Sequence, residues 1–398
     1  MRMNEGVSAE LNPPVRVLLG PGPSATHPRV YRAMAAPVVS HLDPAYLQIM
    51  DEVQALLRAA FRTENRMTLA LPGTGTSGME AAMANLLEPG DTIVIGVAGY
   101  FGERMVDMAG RYGANVVRVD TEWGTIVEPE RIREAVRGAG RVKAVAIVQG
   151  ETSTGVLQPV EEIARIAHQA GALAIVDAVT SFCTCELAVD GWELDYVYSC
   201  SQKGLSCPPG LAPITVSERA MQAIHSRARP GSNWYLDLAL LEKYWGPERV
   251  YHHTAPATMT YALHEGLRIV LEEGLPARVA RHEKHARAAQ AAFEAMGMPL
   301  AAQAGHRLPP LTTVRIPEGV DDAKARSFLL RERGLEVGGG LGAFRGKAWR
   351  VGLMGHSSTA ENVLLVAGAL AEACADQGVR VDAAAGAAAA AQSLFGAG

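Results

Sequence analysis

Short apolar runs without polar alternation, separated by amphipathic helical patterns, constrain the fold of this chain more than any other feature. The runs lie at 67–71, 92–97, 115–119, 143–148, 172–176 and 196–199. Strands that are apolar on both faces are typical of a parallel sheet covered by helices on both sides. The intervening pattern over 159–170 begins with proline, has two glutamates in its first turn and is followed by glycine, as expected of a helix. The sequence therefore predicts an α/β fold with a mostly parallel sheet.

From about residue 273 the pattern changes to longer helices and shorter β runs. Helices are predicted over 277–296, 321–332 and 360–375, and strands near 312–316 and 349–353. We therefore expect an N-terminal arm over 1–20, a large α/β domain over 21–272 and a smaller α+β domain over 273–380. The tail over 381–398 is rich in alanine and is expected to be a frayed helix or disordered.

Composition excludes several classes of function. The formal net charge of −5 over 398 residues argues against nucleic acid or an anionic membrane surface as the main partner. No apolar run reaches the roughly 18–20 residues of a membrane-spanning helix, and the N-terminus does not resemble a secretory signal. The spacing of the five cysteines is not typical of disulfide frameworks or zinc sites, which predicts buried thiols in a reducing cytoplasm.

A glycine-rich segment over 71–87, LPGTGTSGMEAAMANLL, follows a predicted strand and opens a predicted helix. The amides of Gly75 and Thr76 can therefore bind an anion at the helix N-terminus, and the hydroxyls of Thr74 and Thr76 suit a terminal phosphate. The same segment matches the dinucleotide fingerprint GxGxxG, which also requires an acidic residue after the next strand. This chain has AGYF there, so a nicotinamide-dependent oxidoreductase is the disfavoured alternative.

Polar residues follow three further predicted strands: Thr152 in IVQGETSTG, Asp177 in IVDAVTS and Lys203 in DYVYSCSQKG. The carboxyl ends of parallel strands meet at one edge of a sheet, where ligands bind. Lys203 is the only charged side chain between Asp195 and Glu218. A lysine in an apolar cleft loses its proton readily because desolvation disfavours the ammonium form.

These groups together match one type of cofactor chemistry. A neutral lysine forms a Schiff base with an aldehyde. A carboxylate holds the proton of a pyridinium ring, a phosphate-binding turn anchors the other end of that ring, and an aromatic side chain stacks on its face. The sequence therefore predicts a site for pyridoxal phosphate.

Nine motifs, in order along the chain, carry a family resemblance. They are LLGPGPSATHPRV, SHLDPAYL, PGTGTSGMEAAMANLLEPGD, GYFGERM, GETSTGVLQPV, VDAVTS, SQKGLSCPPG, YHHTAPATM and KAWRVGLMG. The sequence resembles the class V aminotransferases of fold type I, in the branch of alanine–glyoxylate, serine–glyoxylate and serine–pyruvate aminotransferases. The resemblance extends from residue 18 to beyond residue 350.

The resemblance implies roles for individual residues. Lys203 would bind the cofactor aldehyde covalently and then act as the base that moves the α-proton. Asp177 would pair with the pyridine nitrogen, Phe101 would stack on the ring, and Val179 would pack beneath it. Arg350 would hold the substrate carboxylate with two parallel hydrogen bonds.

The resemblance also implies a phosphate site shared between two subunits. Thr152 would bond near the ring hydroxyl, while Tyr251 and Thr254 would reach the phosphate from a second subunit, which implies a homodimer. The phosphate ligands within the same chain would be Thr74, Gly75, Thr76 and Gln202.

The implied activity is ping-pong transfer of an amino group from alanine or serine to glyoxylate or pyruvate. A ureidoglycine–glyoxylate aminotransferase is the nearest alternative. A cysteine desulfurase is disfavoured because Cys374, the only cysteine of the predicted small domain, lies beyond Arg350 in a helical pattern. A non-catalytic scaffold would not need Lys203, Asp177 and Arg350 together.

Overall fold

The computed structural model describes residues 11–396 and contains a seven-stranded central sheet. Strands β1–β14 of the described residues are, in order, Val17–Leu18, Met67–Pro72, Thr92–Val97, Asn115–Asp120, Ala144–Val148, Gly150–Glu151, Val156–Leu157, Leu173–Asp177, Tyr196–Tyr198, Leu211–Val216, Leu311–Arg315, Leu335–Glu336, Gly338–Gly339 and Ala348–Gly352. Helices α1–α13 are Pro28–Met34, Pro44–Phe61, Gly75–Leu86, Tyr100–Arg111, Pro129–Ala139, Val160–Gln169, Glu218–His225, Leu238–Trp245, Ala257–Glu273, Leu275–Ala295, Asp322–Glu332, Ala360–Ala375 and Ala383–Phe395.

The central sheet has the strand order β2-β10-β9-β8-β5-β3-β4, and only β10 runs antiparallel to the others. The predicted α/β class with a mostly parallel sheet is confirmed. Parallel neighbours require long crossovers that usually contain a helix, whereas β9 and β10 are joined by residues 199–210, which contain no helix. This loop carries Lys203 and lies at the carboxyl end of β9.

Strand β4 differs from the expectation that all six apolar runs are buried on both faces. It pairs only with β3, at the edge of the sheet. Asn115, Arg118 and Asp120 are exposed, and Arg118 forms ion pairs with Glu103 at 2.9 Å and with Asp120 at 2.6 Å. Charged side chains on an edge strand disfavour pairing with another chain.

Two large hydrophobic clusters are formed by different parts of the chain. The first lies between Val30 and Val270 and surrounds the central sheet. The second joins Leu19 to residues 288–394, around the three-stranded sheet β11-β14-β13. The predicted domain boundary near residue 272 falls close to the junction of α9 and α10 and stays a prediction. The first ten residues of the predicted arm lie outside the described residues.

The alanine-rich tail forms the helix α13, contrary to the expectation of a frayed helix or disorder. Asp382 caps its N-terminus by accepting a hydrogen bond from the Ala385 amide at 2.9 Å. Gly386, Ala390 and Leu394, spaced four residues apart, are buried. A Cβ at Gly386 would lie only 2.5 Å from Met296 Cγ, so the glycine permits close packing against the end of α10.

Candidate active site

A cavity of about 410 Å³ lies at the carboxyl ends of the parallel strands. Ten of the twelve predicted site residues line this cavity, and Tyr251 and Thr254 do not. The ten are Thr74, Gly75, Thr76, Phe101, Thr152, Asp177, Val179, Gln202, Lys203 and Arg350, and the cavity is completed by Pro21, Gly22, Met79, Tyr100, Arg104 and Leu341.

Lys203 lies in the β9–β10 loop with its amine inside the cavity wall. Only 7% of the residue is exposed, and Nζ donates hydrogen bonds to Thr180 Oγ1 at 2.8 Å and Thr152 Oγ1 at 3.1 Å. Burial lowers the pKa of Lys203 to about 8, and the positive charge of Arg350 adds to this effect. At pH 7 about a tenth of the amine is therefore neutral and nucleophilic, against well under a hundredth for an ordinary lysine. Thr180 was not among the predicted site residues.

The N-terminal segment fixes the lysine loop from the other side. Ser24 Oγ donates a hydrogen bond to the Lys203 carbonyl oxygen at 2.8 Å, and the Ser24 amide donates to the Gln202 carbonyl at 2.8 Å. Gly22 has a φ of +116°, and a Cβ at this position would lie 3.0 Å from Lys203 Cε. The glycine therefore lets the backbone pass beside the lysine side chain.

The lowered pKa of Lys203 predicts unusual reactivity with small aldehydes. Since the amine reacts only when neutral, its rate of reductive methylation by formaldehyde should rise with pH to a midpoint near 8, against about 10.4 for an ordinary lysine. The rate is measured by mass spectrometry of the peptide that contains Lys203. The exposed Lys243 is the internal control, and a midpoint for Lys203 equal to that of Lys243 would contradict the prediction.

Asp177 is a buried carboxylate at the end of β8. Its oxygens accept hydrogen bonds from the Val179 amide and the Tyr198 hydroxyl, each at 2.8 Å. Burial raises the pKa of Asp177, while these two donors and the positive charge of Lys203 lower it. Tyr198 was not among the predicted site residues. It lies opposite Asp177 in the pairing of β8 with β9, a register that the sequence pattern does not specify.

The start of α3 has the features of an anion site. The amides of Gly75 and Thr76 lie in its first turn, where no preceding helical carbonyl can accept from them. Thr74 and Thr76 are exposed, and Gln202 lines the same cavity with its Oε1 buried and without a hydrogen-bond partner among the described residues. The guanidinium of Arg104 donates to Thr76 Oγ1 at 3.1 Å.

Phe101 is held in the cavity by a buried carboxylate. Its amide donates to Glu151 Oε2 at 3.2 Å, and the Gly102 amide donates to the same oxygen at 3.3 Å. Glu151 is fully buried and also accepts from the Ser153 hydroxyl at 2.6 Å. Burial raises the pKa of Glu151, and these donors oppose that shift. Glu151 therefore positions Phe101, a function that its place in the GETSTG motif did not reveal.

Arg350 reaches the cavity from β14 of the three-stranded sheet. The residue is 8% exposed, with Nε donating to the Gly339 carbonyl at 2.8 Å and Nη1 to the Thr152 carbonyl at 3.4 Å. Its Nη2 donates to no residue within the described part of the chain. Burial lowers the pKa of Arg350 to about 10, opposed by Glu151 and Glu336, so the guanidinium remains charged at neutral pH.

Tyr251 and Thr254 lie on the surface instead. Tyr251 is 57% exposed, and its hydroxyl is 3.5 Å from Thr254 Oγ1. That these two residues reach the phosphate site of a second subunit stays a prediction.

The matching family profile is that of Aminotransferase class-V, which covers residues 25–364. The chain belongs to the class V aminotransferases. A solved alanine–glyoxylate aminotransferase from Nostoc sp. is 48% identical, with a TM-score of 0.90 over 94% of this chain and 100% of that one. The solved ureidoglycine–glyoxylate aminotransferase of Bacillus subtilis is 42% identical, with a TM-score of 0.94 over 97% of this chain and 99% of that one. The alanine–glyoxylate aminotransferase of Drosophila melanogaster is 39% identical over 90% of this chain and 92% of its own.

The predicted enzyme class, fold type and cofactor are therefore confirmed: class V aminotransferases of fold type I depend on pyridoxal phosphate. The cavity of this aminotransferase fits that cofactor. It offers a desolvated amine at Lys203, a buried carboxylate at Asp177, and first-turn amides at the start of α3 that can donate to a phosphate. Among the described residues of the aminotransferase, no helix is both long and apolar enough to cross a membrane.

Proposed function

We propose that this aminotransferase moves the amino group of a small amino acid, alanine or serine, to glyoxylate, with pyruvate as a further acceptor, by ping-pong kinetics. The observation that carries the proposal is one cavity that holds both a desolvated lysine and the buried guanidinium of Arg350. Pro21, Gly22 and Leu341 line the same cavity and offer a substrate side chain only small or apolar surroundings.

Within this proposal each buried group has a separate task. Arg350 binds the substrate carboxylate through its free Nη2, which orients the bond to be broken. Lys203 Nζ takes the α-proton and returns it, and the hydroxyls of Thr152 and Thr180 position that nitrogen. Asp177 would pair with the pyridine nitrogen and keep it protonated. When bound, pyridoxal phosphate supplies the conjugated ring that accepts electrons from the substrate Cα.

The test is a panel of amino donors, each paired with glyoxylate or pyruvate, on the cofactor-loaded enzyme. We expect the highest kcat/KM for alanine or serine with glyoxylate. Aspartate and glutamate should be at least about 10-fold poorer, because their second carboxylate would be buried without a partner. A dicarboxylic amino acid as the best donor would contradict the proposal.

A second candidate substrate is (S)-ureidoglycine, favoured by the TM-score of 0.94 and 42% identity with the Bacillus subtilis ureidoglycine–glyoxylate aminotransferase. It enters the same panel as a donor to glyoxylate. A kcat/KM for ureidoglycine more than about 10-fold above that for alanine and serine would replace the first proposal with the second.

We propose further that the enzyme is a homodimer with shared active sites. Thr74 and Thr76 are exposed at the phosphate end of the cavity, so this end is open in the single chain. Large aromatic side chains are also exposed on the surface that carries Tyr251, among them Trp234 at 62%. Apolar surface of this kind is typical of a subunit interface, and a second copy would both cover it and bring Tyr251 to the open end.

Subunit complementation tests the shared site. Lys203→Ala and the double variant Tyr251→Ala/Thr254→Ala should each have little activity alone. Mixing them in equal amounts under conditions that exchange subunits should restore about a quarter of normal activity, since half of the dimers are hybrids with one intact site. Activity is measured before and after exchange. No recovery, or full activity in the double variant, would contradict the shared site.

We also propose a cytoplasmic location. All five cysteines are buried and free, as expected in a reducing compartment. Activity recovered in a cytoplasmic fraction would support this, and recovery with a secreted or membrane fraction would contradict it.

A further inference from the structure

Three cationic side chains line the active-site cavity: Lys203, Arg350 and Arg104. The first two have tasks in the proposed reaction, at the cofactor aldehyde and at the substrate carboxylate. Arg104 is the third, and its guanidinium is hydrogen-bonded to Thr76 in the first turn of α3. Its charge calls for a separate explanation.

Arg104 is held in place by neutral groups only. Its Nη1 donates to Thr76 Oγ1 at 3.1 Å, and its guanidinium carbon lies 4.9 Å from the ring centroid of Phe101 and 5.4 Å from that of Tyr100. Within residues 11–396 Arg104 forms no ion pair. In contrast, Arg111 on the same helix pairs with Asp107 at 2.9 Å.

The positive charge of Arg104 lowers the pKa of Asp177, but no carboxylate of the described residues forms an ion pair with it, so the surroundings of Arg104 can accept a further anion. The start of α3 carries the positive end of the helix dipole and the free amides of Gly75 and Thr76. A guanidinium next to these groups adds a like charge, which a dianionic phosphate monoester would neutralise. The hydrogen bond from Arg104 also occupies an acceptor position of Thr76 Oγ1, which leaves the hydroxyl proton free to be donated to that anion.

We propose that Arg104 is a cofactor-binding residue that supplies the positive countercharge for the phosphate of pyridoxal phosphate. The guanidinium is oriented by the Phe101 and Tyr100 rings and bridges to the phosphate-binding turn through Thr76. The inference rests on pyridoxal phosphate as cofactor, and it assigns Arg104 to the phosphate and not to the ring or the substrate.

The experiment compares two ligands that differ only in the phosphate. Apoenzyme is titrated with pyridoxal phosphate and with pyridoxal, and binding is followed by the absorbance of the bound ring. In Arg104→Met, which keeps an apolar chain over Phe101 but removes the charge, the Kd for pyridoxal phosphate should rise about 10- to 100-fold. The Kd for pyridoxal should change by less than about 3-fold, and Arg104→Lys should recover part of the loss.

Matched measurements separate this role from a structural one. Arg111→Met removes an arginine from the same helix at an exposed position and should leave both Kd values unchanged. Inorganic phosphate should compete with pyridoxal phosphate less effectively in Arg104→Met than in the unsubstituted enzyme.

Three outcomes would overturn the assignment of Arg104 to the phosphate. Equal loss of affinity for both ligands would assign Arg104 to ring stacking or folding, and unchanged affinity for both would leave it without a role; either result overturns the inference. Failure of the unsubstituted protein to bind pyridoxal phosphate would overturn the cofactor assignment, and the inference with it.

Discussion

Replacing Lys203 with alanine is expected to abolish covalent attachment of pyridoxal phosphate and to lower kcat by about 10²- to 10⁴-fold. Among the described residues that line the cavity, this amine is the nucleophile with a lowered pKa, and we propose that it is also the base that moves the α-proton. Attachment is measured by borohydride reduction and mass spectrometry of the peptide that contains position 203. Turnover is measured with alanine and glyoxylate as substrates.

Three controls distinguish loss of the lysine amine from a folding defect. Lys243→Ala removes an exposed lysine and should leave turnover unchanged. The circular dichroism spectrum of Lys203→Ala should match that of the unsubstituted enzyme. Methylamine should restore part of the activity, because the shortened side chain leaves space for a small amine beside Thr152 and Thr180. Normal turnover in Lys203→Ala would refute the assignment of this lysine.

Part of the candidate active site could be predicted because its residues follow strands of a parallel sheet, whereas Val179, Gln202 and Arg350 were assigned from the family resemblance. Residues that follow parallel strands meet at one edge whatever the details of side-chain packing. Asp177 directly follows one apolar run, Lys203 lies four positions after the end of another, and both line the cavity. The predictions needed only the direction of the strands, which the apolar runs and intervening helices indicate.

The residues that sequence reasoning missed depend on register and packing. Tyr198 reaches Asp177 because the two lie opposite one another in adjacent strands. Arg104 reaches Thr76 because α3 and α4 pack with their first turns close together. Glu151 holds the Phe101 amide across 50 residues of sequence. Neither hydrophobic periodicity nor strand-end position encodes these pairings.

The same reasoning explains the differences in the fold. Strand β10 lies outside the six predicted apolar runs. Its sequence, LAPITV, contains a proline, and a proline within an apolar run argues against a central strand. The tail was expected to be frayed or disordered because alanine and glycine offer little apolar surface. Its order instead comes from close contact with α10 at Gly386, which only the tertiary structure can show.

The buried charges of the cavity depend on one another. Lys203, Arg350, Asp177 and Glu151 lie within electrostatic reach, since each perturbs the pKa of at least one of the others. The opposite charges among these groups oppose the effect of burial, whereas Arg350 lowers the pKa of Lys203 and Asp177 raises the pKa of Glu151. An incoming amino acid adds a carboxylate to these charges, and Arg350 is the group that we propose binds it.

Replacing Arg350 with methionine is therefore expected to lower kcat/KM for alanine by about 30- to 5,000-fold. This range corresponds to the roughly 2–5 kcal/mol that is lost when one partner of a buried charge pair is removed. Arg350→Lys should be intermediate, since lysine keeps the charge but lacks the planar fork that binds a carboxylate bidentately. Steady-state kinetics with alanine and glyoxylate measures the effect.

An amine substrate without a carboxylate separates carboxylate binding from a structural role of Arg350. For ethylamine, which is alanine without its carboxylate, the slow rate of amino transfer should be the same in Arg350→Met and the unsubstituted enzyme, because neither binds a carboxylate during that reaction. Arg345→Met, at an exposed position on the same segment, should behave like the unsubstituted enzyme with both amines. If Arg350→Met lost activity equally with alanine and ethylamine, the arginine would be maintaining the cavity through its bonds to Gly339 and Thr152, and the substrate carboxylate would need another partner.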